Sequence, residues 1–175
     1  MPIETRTLRS ASTRSGRVVV AKSLNEAQSR NKQTAFLCHS HQDRDLAQGL
    51  QVILKENGWD VYIDWQDSEM PESPNKETAD KIKSRIISTN WFIFLATERS
   101  VQSRWCPWEI GYADSEKPHS RILIIPTEDD NGQWFGNEYL QLYKKIDKGI
   151  AGQRSGYAMF KPGSDAGGIW VEQIR

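Results

Sequence analysis

The chain has 175 residues, enough for one domain with its own core and short appendages. A hydrophobic fraction of 37%, a charged fraction of 26% and a formal net charge of zero are ordinary for a globular protein and speak against a dedicated, strongly basic nucleic-acid module. No apolar run approaches the roughly 20 residues of a membrane span, so we expect a cytoplasmic protein without a secretory leader.

Charge is unevenly distributed along the chain. Residues 1–33 carry seven Lys or Arg against two Glu, which gives this segment +5 and leaves −5 on the rest. We interpret the segment as a basic N-terminal extension that docks on the remaining domain, on RNA or on nothing. Its Arg- and Ser-rich composition also faintly resembles a mitochondrial transit peptide. The sequence leaves these alternatives open.

Short apolar runs alternate with segments of helical periodicity from residue 34 onward. The runs predict buried parallel strands at 34–38, 59–65, 90–96 and 121–126. Apolar residues at helical spacing predict helices over 43–57 and 76–88, and a further helix begins near Pro107 and ends near Lys117. Two prolines among acidic residues make 66–75 a loop.

The C-terminal third is harder to interpret. Residues 139–146 predict a short helix and a weak fifth strand, and we place the end of the main domain, 34–150, just after them. A Gly-rich C-terminal extension follows over 151–175, with a hairpin formed by 157–161 and 169–174. The alternation predicts an α/β fold: a flavodoxin-like five-stranded parallel sheet, order 2-1-3-4-5, with helices on both faces.

In such sheets ligands bind beyond the carboxyl ends of the strands, and the loops there exclude several kinds of site. The chain has no G-x-G-x-x-G, no G-K-[ST] and no G-x-S-x-G motif. A phosphoacceptor receiver needs an acidic pair where His39, Ser40 and His41 follow the first strand. Cys38 and Cys106 form no spaced framework, which predicts free thiols in a reducing compartment and no metal site.

Three segments carry a family resemblance: 103–112 (SRWCPWEIGY), 36–40 (FLCHS) and 61–65 (VYIDW). Together they resemble the Toll/interleukin-1 receptor (TIR) domain family over residues 34–150, in the expected order and spacing. The whole chain is most similar to stand-alone bacterial TIR proteins associated with antiphage defence. The loop that the family calls the BB loop corresponds to 66–75, which lacks the Gly that often follows its proline.

The resemblance implies that Glu109 is the catalytic residue of an enzyme that cleaves the nicotinamide–ribose bond of NAD⁺, with NAD⁺ as substrate and no cofactor. Elementary chemistry gives a reason for a carboxylate there. Breaking that bond develops oxocarbenium character at the anomeric carbon, whereas the leaving nicotinamide needs no proton. One carboxylate beside the ribose stabilises the positive charge, as in glycoside cleavage.

The resemblance also implies a set of NAD⁺-binding residues. Ser40 and His41 contact the ribose or phosphates, Asp64 and Trp65 border the same cleft, and Trp105 stacks on nicotinamide or adenine. Structural alternatives stay open for each pair. The residues after strand one also suit the end of a strand and the cap of the next helix, and a tryptophan at 65 also suits a shield for the sheet edge.

Glu109 has a structural alternative of its own. With Cys106 as the N-cap, Pro107 would be the first helical residue and Glu109 the third, where glutamate stabilises helix starts. Trp105 and Ile110 would then form a hydrophobic staple. Both roles are compatible, because a helix N-terminus would lower the pKa of the glutamate and keep it ionised. Trp108 and Tyr112 are interpreted as packing residues.

Two functions from different classes follow. The leading hypothesis is an NAD⁺ glycohydrolase or ADP-ribosyl cyclase that makes an ADP-ribose-derived signal for a separate effector protein in bacterial antiphage immunity. The alternative is a non-enzymatic TIR adaptor that acts by TIR–TIR association. A third option is a virulence TIR that engages host TIR partners. The resemblance implies self-association through the loop 66–75, and we expect neither a membrane nor a specific nucleic acid as partner.

Overall fold

Strands form where β-branched and aromatic residues run together, as in the six buried residues of WFIFLA. The computed structural model describes residues 1–17, 23–64, 76–136 and 138–174. The strands in these ranges are β1 Ile3–Glu4, β2 Gln33–Cys38, β3 Val61–Asp64, β4 Trp91–Ala96, β5 Ile122–Glu128, β6 Trp134–Phe135, β7 Lys144–Ala151, β8 Arg154–Phe160 and β9 Ile169–Trp170.

Helices form where apolar residues recur at helical spacing, and a residue that suits a left-handed turn is one way to end them. One example is Gly58, which follows the C-cap Asn57 with a φ of 88°. The helices in the described ranges are α1 Thr5–Ser12, α2 Leu24–Ser29, α3 Arg44–Glu56, α4 Lys76–Ser88, α5 Glu98–Val101 and α6 Cys106–Glu116. None of these helices has the length and apolarity needed to cross a bilayer.

The strands join in one sheet whose centre is parallel. Neighbours follow the order β3, β2, β4, β5, β7, β8, β9, and the pairings among the first five of these are parallel. The predicted class, an α/β fold with a central, mostly parallel sheet, is confirmed. The predicted number of five strands is too small. β8 and β9 continue the sheet in antiparallel pairing, and β1 and β6 pair with the end of β5.

Successive side chains of each central strand point to opposite faces of the sheet, and helices cover both. On one face, Leu37 and Ile93 pack with residues of α1 and α3 such as Leu50. On the other face, Phe94 packs with residues of α4 and α6 such as Ile110. We call these the α3 face and the α6 face. Because the central strands are parallel, their carboxyl ends lie at the same edge of the sheet.

The first 17 residues belong to this fold. β1 pairs with the end of β5, and Leu8 and Ala11 of α1 are buried against α3. The two helices approach so closely that a Cβ at Gly49 of α3 would lie 1.9 Å from the carbonyl oxygen of Leu8. Only glycine allows this approach without a shift of the backbone.

Two arginines, Arg9 on α1 and Arg14 in the turn after it, face acidic residues of α3. Arg9 lies 3.5 Å from Asp45, and Arg14 forms a two-pronged ion pair with Glu56 at 2.8 and 2.9 Å. Of the partners considered for the basic segment, its own domain is therefore the one that the described residues 1–17 contact.

The predicted C-terminal hairpin is present but short on one side. β9 pairs with β8 only through Trp170 with Ala158 and Ile169 with Met159. The longer hairpin is the one between β7 and β8, which turns at Gly152 with a φ of 61°. The predicted division after residue 150 thus falls inside a continuous pair of strands.

Candidate active site

The carboxyl end of β2 meets the first turn of α6 on the α6 face. Cys38, the last residue of β2, directs its thiol at the carbonyl oxygen of Cys106, at 3.8 Å. The thiol sulfurs of Cys38 and Cys106 and a carboxylate oxygen of Glu109 all lie within 4.8 Å of one another. All three side chains are buried, and both cysteines are free thiols as predicted.

Local sequence explains where α6 begins. Trp105 is the N-cap, and Pro107, which needs no backbone partner, lies in the first turn. The hydroxyl of Ser103 accepts hydrogen bonds from the amides of Trp105 (3.1 Å) and Cys106 (3.3 Å). The amide of Glu109 donates to the carbonyl of Trp105 at 2.8 Å, so Glu109 is the fourth helical residue.

The predicted capping arrangement is therefore wrong. The helix starts one residue earlier than the placement of Cys106 at the N-cap required, and Ser103 supplies the side-chain oxygen that satisfies its first amides. Glu109 is still the acidic residue of the first turn of α6, and its carboxyl lies on the α6 face beside the two thiols.

Burial dominates the electrostatics of Glu109. Removal from water raises the pKa of its carboxyl from the ordinary 4.5 to about 7, and a hydrogen bond with Cys38 opposes this rise only in part. No Lys, Arg or His contributes to the shift among the described residues. The expectation that the helix N-terminus would lower the pKa of Glu109 is wrong, because desolvation of a side chain only 5% exposed outweighs the helix dipole.

The Cys38 thiol beside Glu109 behaves as a neutral donor. Burial raises the pKa of the Cys38 thiol well above its ordinary value, so its S–H is retained and can donate to the carboxylate or to the Cys106 carbonyl. Two thiols and a carboxyl are a donor set for a soft cation such as Zn²⁺, but both thiols would first have to lose their protons. The ring of the neighbouring His39 faces the carbonyl of Leu37 at 3.1 Å, and His41 is exposed.

Ser40 and His41 directly follow this cluster in the chain. Ser40 is half-buried and is the N-cap residue of the 3₁₀ turn His41–Asp43, which leads into α3; His41 is exposed. Neither Ser40 nor Asp43 uses its side chain to cap the helix that follows. The structural alternative of a helix cap is thus not what these side chains form.

The strand-two residues are only partly described. Asp64 is the last residue of β3, and its backbone pairs in register with Phe36 of β2, two residues before Cys38. The side chain of Asp64, the predicted contact Trp65 and the whole loop 66–75 lie outside the described residues. Their predicted roles stay predictions.

Comparison with known families identifies the fold. The sequence model of the TIR domain family matches residues 35–153. The chain belongs to the TIR domain family. It is similar to the probable 3′ cyclic ADP-D-ribose synthase ThsB′ of Bacillus cereus (strain MSX-D12), with 36% identity over 116 residues. That alignment covers 65% of this chain and 60% of the relative, so the matched part of this TIR protein spans less than two thirds of the relative's length.

The site of this TIR domain borders an aromatic ladder along α6. Trp105 meets Trp108 edge to face with ring centroids 5.5 Å apart, and Trp108 stacks on Tyr112 at 6.0 Å. The ammonium of Lys83 on α4 lies 5.9 and 5.6 Å from the last two rings. All three rings are half-buried against the α6-face core, which confirms packing roles for Trp108 and Tyr112.

A cleft of about 690 Å³ lies elsewhere in the TIR domain, between the N-terminal residues, β5 and β7. Trp134, Tyr143, Lys145 and Lys148 line it, but Glu109 does not. Its lysines are engaged in ion pairs, Lys145 with Asp165 and Lys148 with Glu4 at 3.5 Å. The buried carboxyl of Glu109, by contrast, has no Lys, Arg or His among the described residues that shifts its pKa.

Sequence reasoning missed the contact of Cys38 with Glu109. The sequence offered one signal for this contact, the position of Cys38 in its strand. Cys38 is the last residue of β2 and its side chain points to the same face of the sheet as that of Phe36, which is the face that α6 covers.

Proposed function

We propose that this TIR domain cleaves NAD⁺ at the nicotinamide–ribose bond, with Glu109 as the carboxylate that faces the reacting ribose. One observation carries the proposal: a carboxyl only 5% exposed lies at the carboxyl end of the parallel sheet, with no basic side chain shifting its pKa among the described residues. Burying an uncompensated carboxylate costs stability. A site that binds a cation or a developing positive charge gives a reason to keep one there.

The proposed reaction needs little from the protein beyond this charge. The bond between C1′ of the ribose and the pyridinium nitrogen breaks, and its electron pair stays on nitrogen, which leaves as neutral nicotinamide. The ribose carbon becomes oxocarbenium-like, and ionised Glu109 stabilises it. Attack by water, with loss of its proton to solvent, gives ADP-ribose; attack by another group of the same nucleotide gives a cyclic isomer.

The proposed product is inferred from the similarity of the chain to its relative. Because the similar protein is named a probable 3′ cyclic ADP-D-ribose synthase, we propose an ADP-ribose-derived signal in antiphage defence, read by a separate effector protein. Two free buried thiols suit the reducing cytoplasm, where we place the protein. Ser40, His41, Asp64, Trp65 and Trp105 are the proposed contacts to NAD⁺.

We further propose that turnover requires self-association through the loop 66–75. The loop carries acidic residues and two prolines next to the strand that ends at Asp64. Association would select a loop conformation that is rare in the monomer, so specific activity would rise with protein concentration.

The proposal is tested by incubating the purified chain with NAD⁺ over a hundredfold range of protein concentration and identifying the products by mass spectrometry. We expect nicotinamide release, with kcat/KM falling about tenfold per pH unit below pH 7 as the ionised fraction of Glu109 shrinks. If the wild-type chain binds a second copy but releases no nicotinamide at any concentration or pH, the non-enzymatic adaptor is the correct function.

A further inference from the structure

Asp43 carries a second buried carboxylate, with partners across the carboxyl edge of the sheet. It is 2% exposed. The hydroxyl of Thr97 donates to one of its oxygens at 2.6 Å, and the Arg99 guanidinium donates to the other at 2.9 Å. The same guanidinium nitrogen also donates to the carbonyl of Gln42 at 3.1 Å. Three hydrogen bonds thus join residues 42–43 to residues 97–99, more than fifty positions away in the sequence.

The position of Asp43 at the start of α3 suggests an ordinary helix cap, but the contacts differ from one. Asp43 is the N-cap residue, and its side chain accepts no hydrogen bond from the helix it precedes. Thr97 is itself fixed, because its hydroxyl accepts from the amide of Ser100 at 3.0 Å while the Ser100 hydroxyl accepts from the amide of Thr97 at 2.8 Å. The carboxylate therefore binds a preorganised donor on another segment.

These contacts join the two segments that carry the proposed substrate contacts. Residues 39–43 contain Ser40 and His41, and the segment that follows Thr97 leads through α5 to Trp105 and Glu109. We propose that Asp43, Thr97 and Arg99 form a clamp whose role is to position the Ser40–His41 turn against the start of α6 for NAD⁺ binding. The effect of this clamp on NAD⁺ binding rests on the proposed function. Asp43, Thr97 and Arg99 are positioning residues, because none of them is proposed to contact the substrate.

Charge and burial predict a local effect when the clamp is broken. Removing Arg99 leaves a buried carboxylate with one donor fewer, which is costly. The guanidinium is 51% exposed, however, so water can replace part of its interaction. We therefore expect the turn to loosen while the core beneath it stays folded.

The test compares Arg99→Met, which keeps the side-chain stem, with Arg99→Lys, which keeps the charge, and with Asp43→Asn. Arg14→Met is the control, because it removes an arginine of comparable exposure (39% against 51%) whose carboxylate partner, Glu56, is exposed and lies at the opposite end of α3 from Asp43. Two readouts are taken on the full chain: amide hydrogen exchange of residues 39–43 by mass spectrometry, and KM and kcat for NAD⁺.

We expect faster exchange at 39–43 in Arg99→Met and Asp43→Asn but not in the control. Small misplacements of binding groups are costly, so kcat/KM should fall about ten- to a hundredfold, mainly through KM. Arg99→Lys should restore part of both. Arg99→Met serves alone if Asp43→Asn does not fold.

Unchanged exchange at 39–43 overturns the clamp, whatever happens to turnover. Faster exchange with an unchanged KM overturns its role in substrate binding. A wild-type chain that cleaves no NAD⁺ refutes the proposed function instead, and exchange at 39–43 then decides the clamp by itself.

Discussion

The α3 face of the sheet brings aliphatic side chains and two tryptophans together, and α1 approaches α3 there so closely that glycine is needed at position 49. The α6 face is also mainly apolar, with phenylalanines such as Phe92 and Phe94 fully buried. Beside that apolar core, however, it holds two thiols and the carboxyl of Glu109. The same sheet therefore supports a purely apolar core on one side and, on the other, an apolar core that also contains a buried carboxyl.

This difference teaches where to look for function. Burying apolar side chains stabilises the fold, whereas burying a carboxyl with a pKa raised to about 7 opposes it. The buried cluster on the α3 face consists of apolar side chains, as packing favours, whereas the α6 face also buries the carboxyl of Glu109. Breaches of this kind are expected at functional sites, where stability is lost for the sake of activity.

Replacement of Glu109 tests the α6 face most directly. Glu109→Gln keeps the shape of the side chain and removes the charge that would stabilise an oxocarbenium-like ribose. We expect nicotinamide release to fall by about a hundred- to a thousandfold or more, the range for lost electrostatic stabilisation. The measurement is initial rate under conditions where the wild type turns over.

The matched control is Glu116→Gln, an exposed carboxylate at the end of the same helix, which should leave the rate unchanged. A Glu109→Gln protein that turns over like the wild type would refute the catalytic assignment.

The same substitution should increase stability above neutral pH. The folded state holds the Glu109 proton more tightly than the unfolded state, with a pKa of about 7 against the ordinary 4.5. Stability from this group is therefore present below pH 4.5 and lost as pH rises through 7, a difference of about 3 kcal/mol. Glutamine escapes that loss, so Glu109→Gln should melt higher than wild type at pH 8, by about 2–4 °C per kcal/mol.

Thermal melts at pH 5 and pH 8 measure this effect. The gap between wild type and Glu109→Gln should be small at pH 5, just above the unfolded pKa, and several times wider at pH 8, and Glu116→Gln should show no such gap. Equal melting temperatures at pH 8 would mean that the carboxyl is better solvated than its burial indicates.

Substitutions on the α3 face should change stability alone. Gly49→Ala places a Cβ 1.9 Å from the Leu8 carbonyl, so α1 must shift, and we expect a loss of about 1–3 kcal/mol as in other overpacked sites. Gly111→Ala is the matched control: it is also inside a helix, with nothing within 4 Å of the added Cβ, and should gain up to about 1 kcal/mol. Denaturant midpoints compare the two, and a Gly49→Ala protein as stable as Gly111→Ala would refute the close approach of α1.

Much of this fold could be predicted because the pattern is local. Continuous apolar runs predicted β2, β4 and β5, and helical spacing predicted α3 and α4 within a residue or two. The TIR resemblance rested on short segments at strand ends and was confirmed by the family match over 35–153. Sequence periodicity did not predict that residues 1–17 pack on α3. Their close approach to α3 depends on the absence of a Cβ atom at Gly49, which periodicity does not detect.

The site was predicted less completely, because its physical properties arise between distant segments. Pro107 suits either of the first two helical positions, so the start of α6 depended on the hydroxyl of Ser103. The pKa of Glu109 depends on how fully β2 and α6 exclude water, which no sequence pattern records. Cys38 and Cys106 are 68 positions apart, and only the folded sheet brings them together.

Replacing Trp105 should give the smallest of these effects. It also allows a direct comparison with Trp108, because Trp105 lies between the packed core of the α6 face and the proposed site around Glu109. Trp105 and Trp108 share one edge-to-face contact at 5.5 Å, and both are half-buried against the same core. Replacing either by alanine removes that contact, so the two variants should lose similar stability. Only Trp105 is proposed to stack on the nicotinamide or adenine, and stacking on a base is worth about 1–3 kcal/mol.

We therefore expect Trp105→Ala to lower kcat/KM for NAD⁺ about ten- to a hundredfold, with Trp108→Ala close to wild type. Trp105→Phe, which keeps an aromatic face, should recover part of the loss. Steady-state kinetics and thermal melts on the same preparations separate the two roles, because stacking changes kcat/KM whereas packing changes the melting temperature. If both alanine variants lose stability alike and neither changes kcat/KM, Trp105 belongs with Trp108 and Tyr112 as a packing residue, and the wall of the substrate site must be sought in other side chains around Glu109.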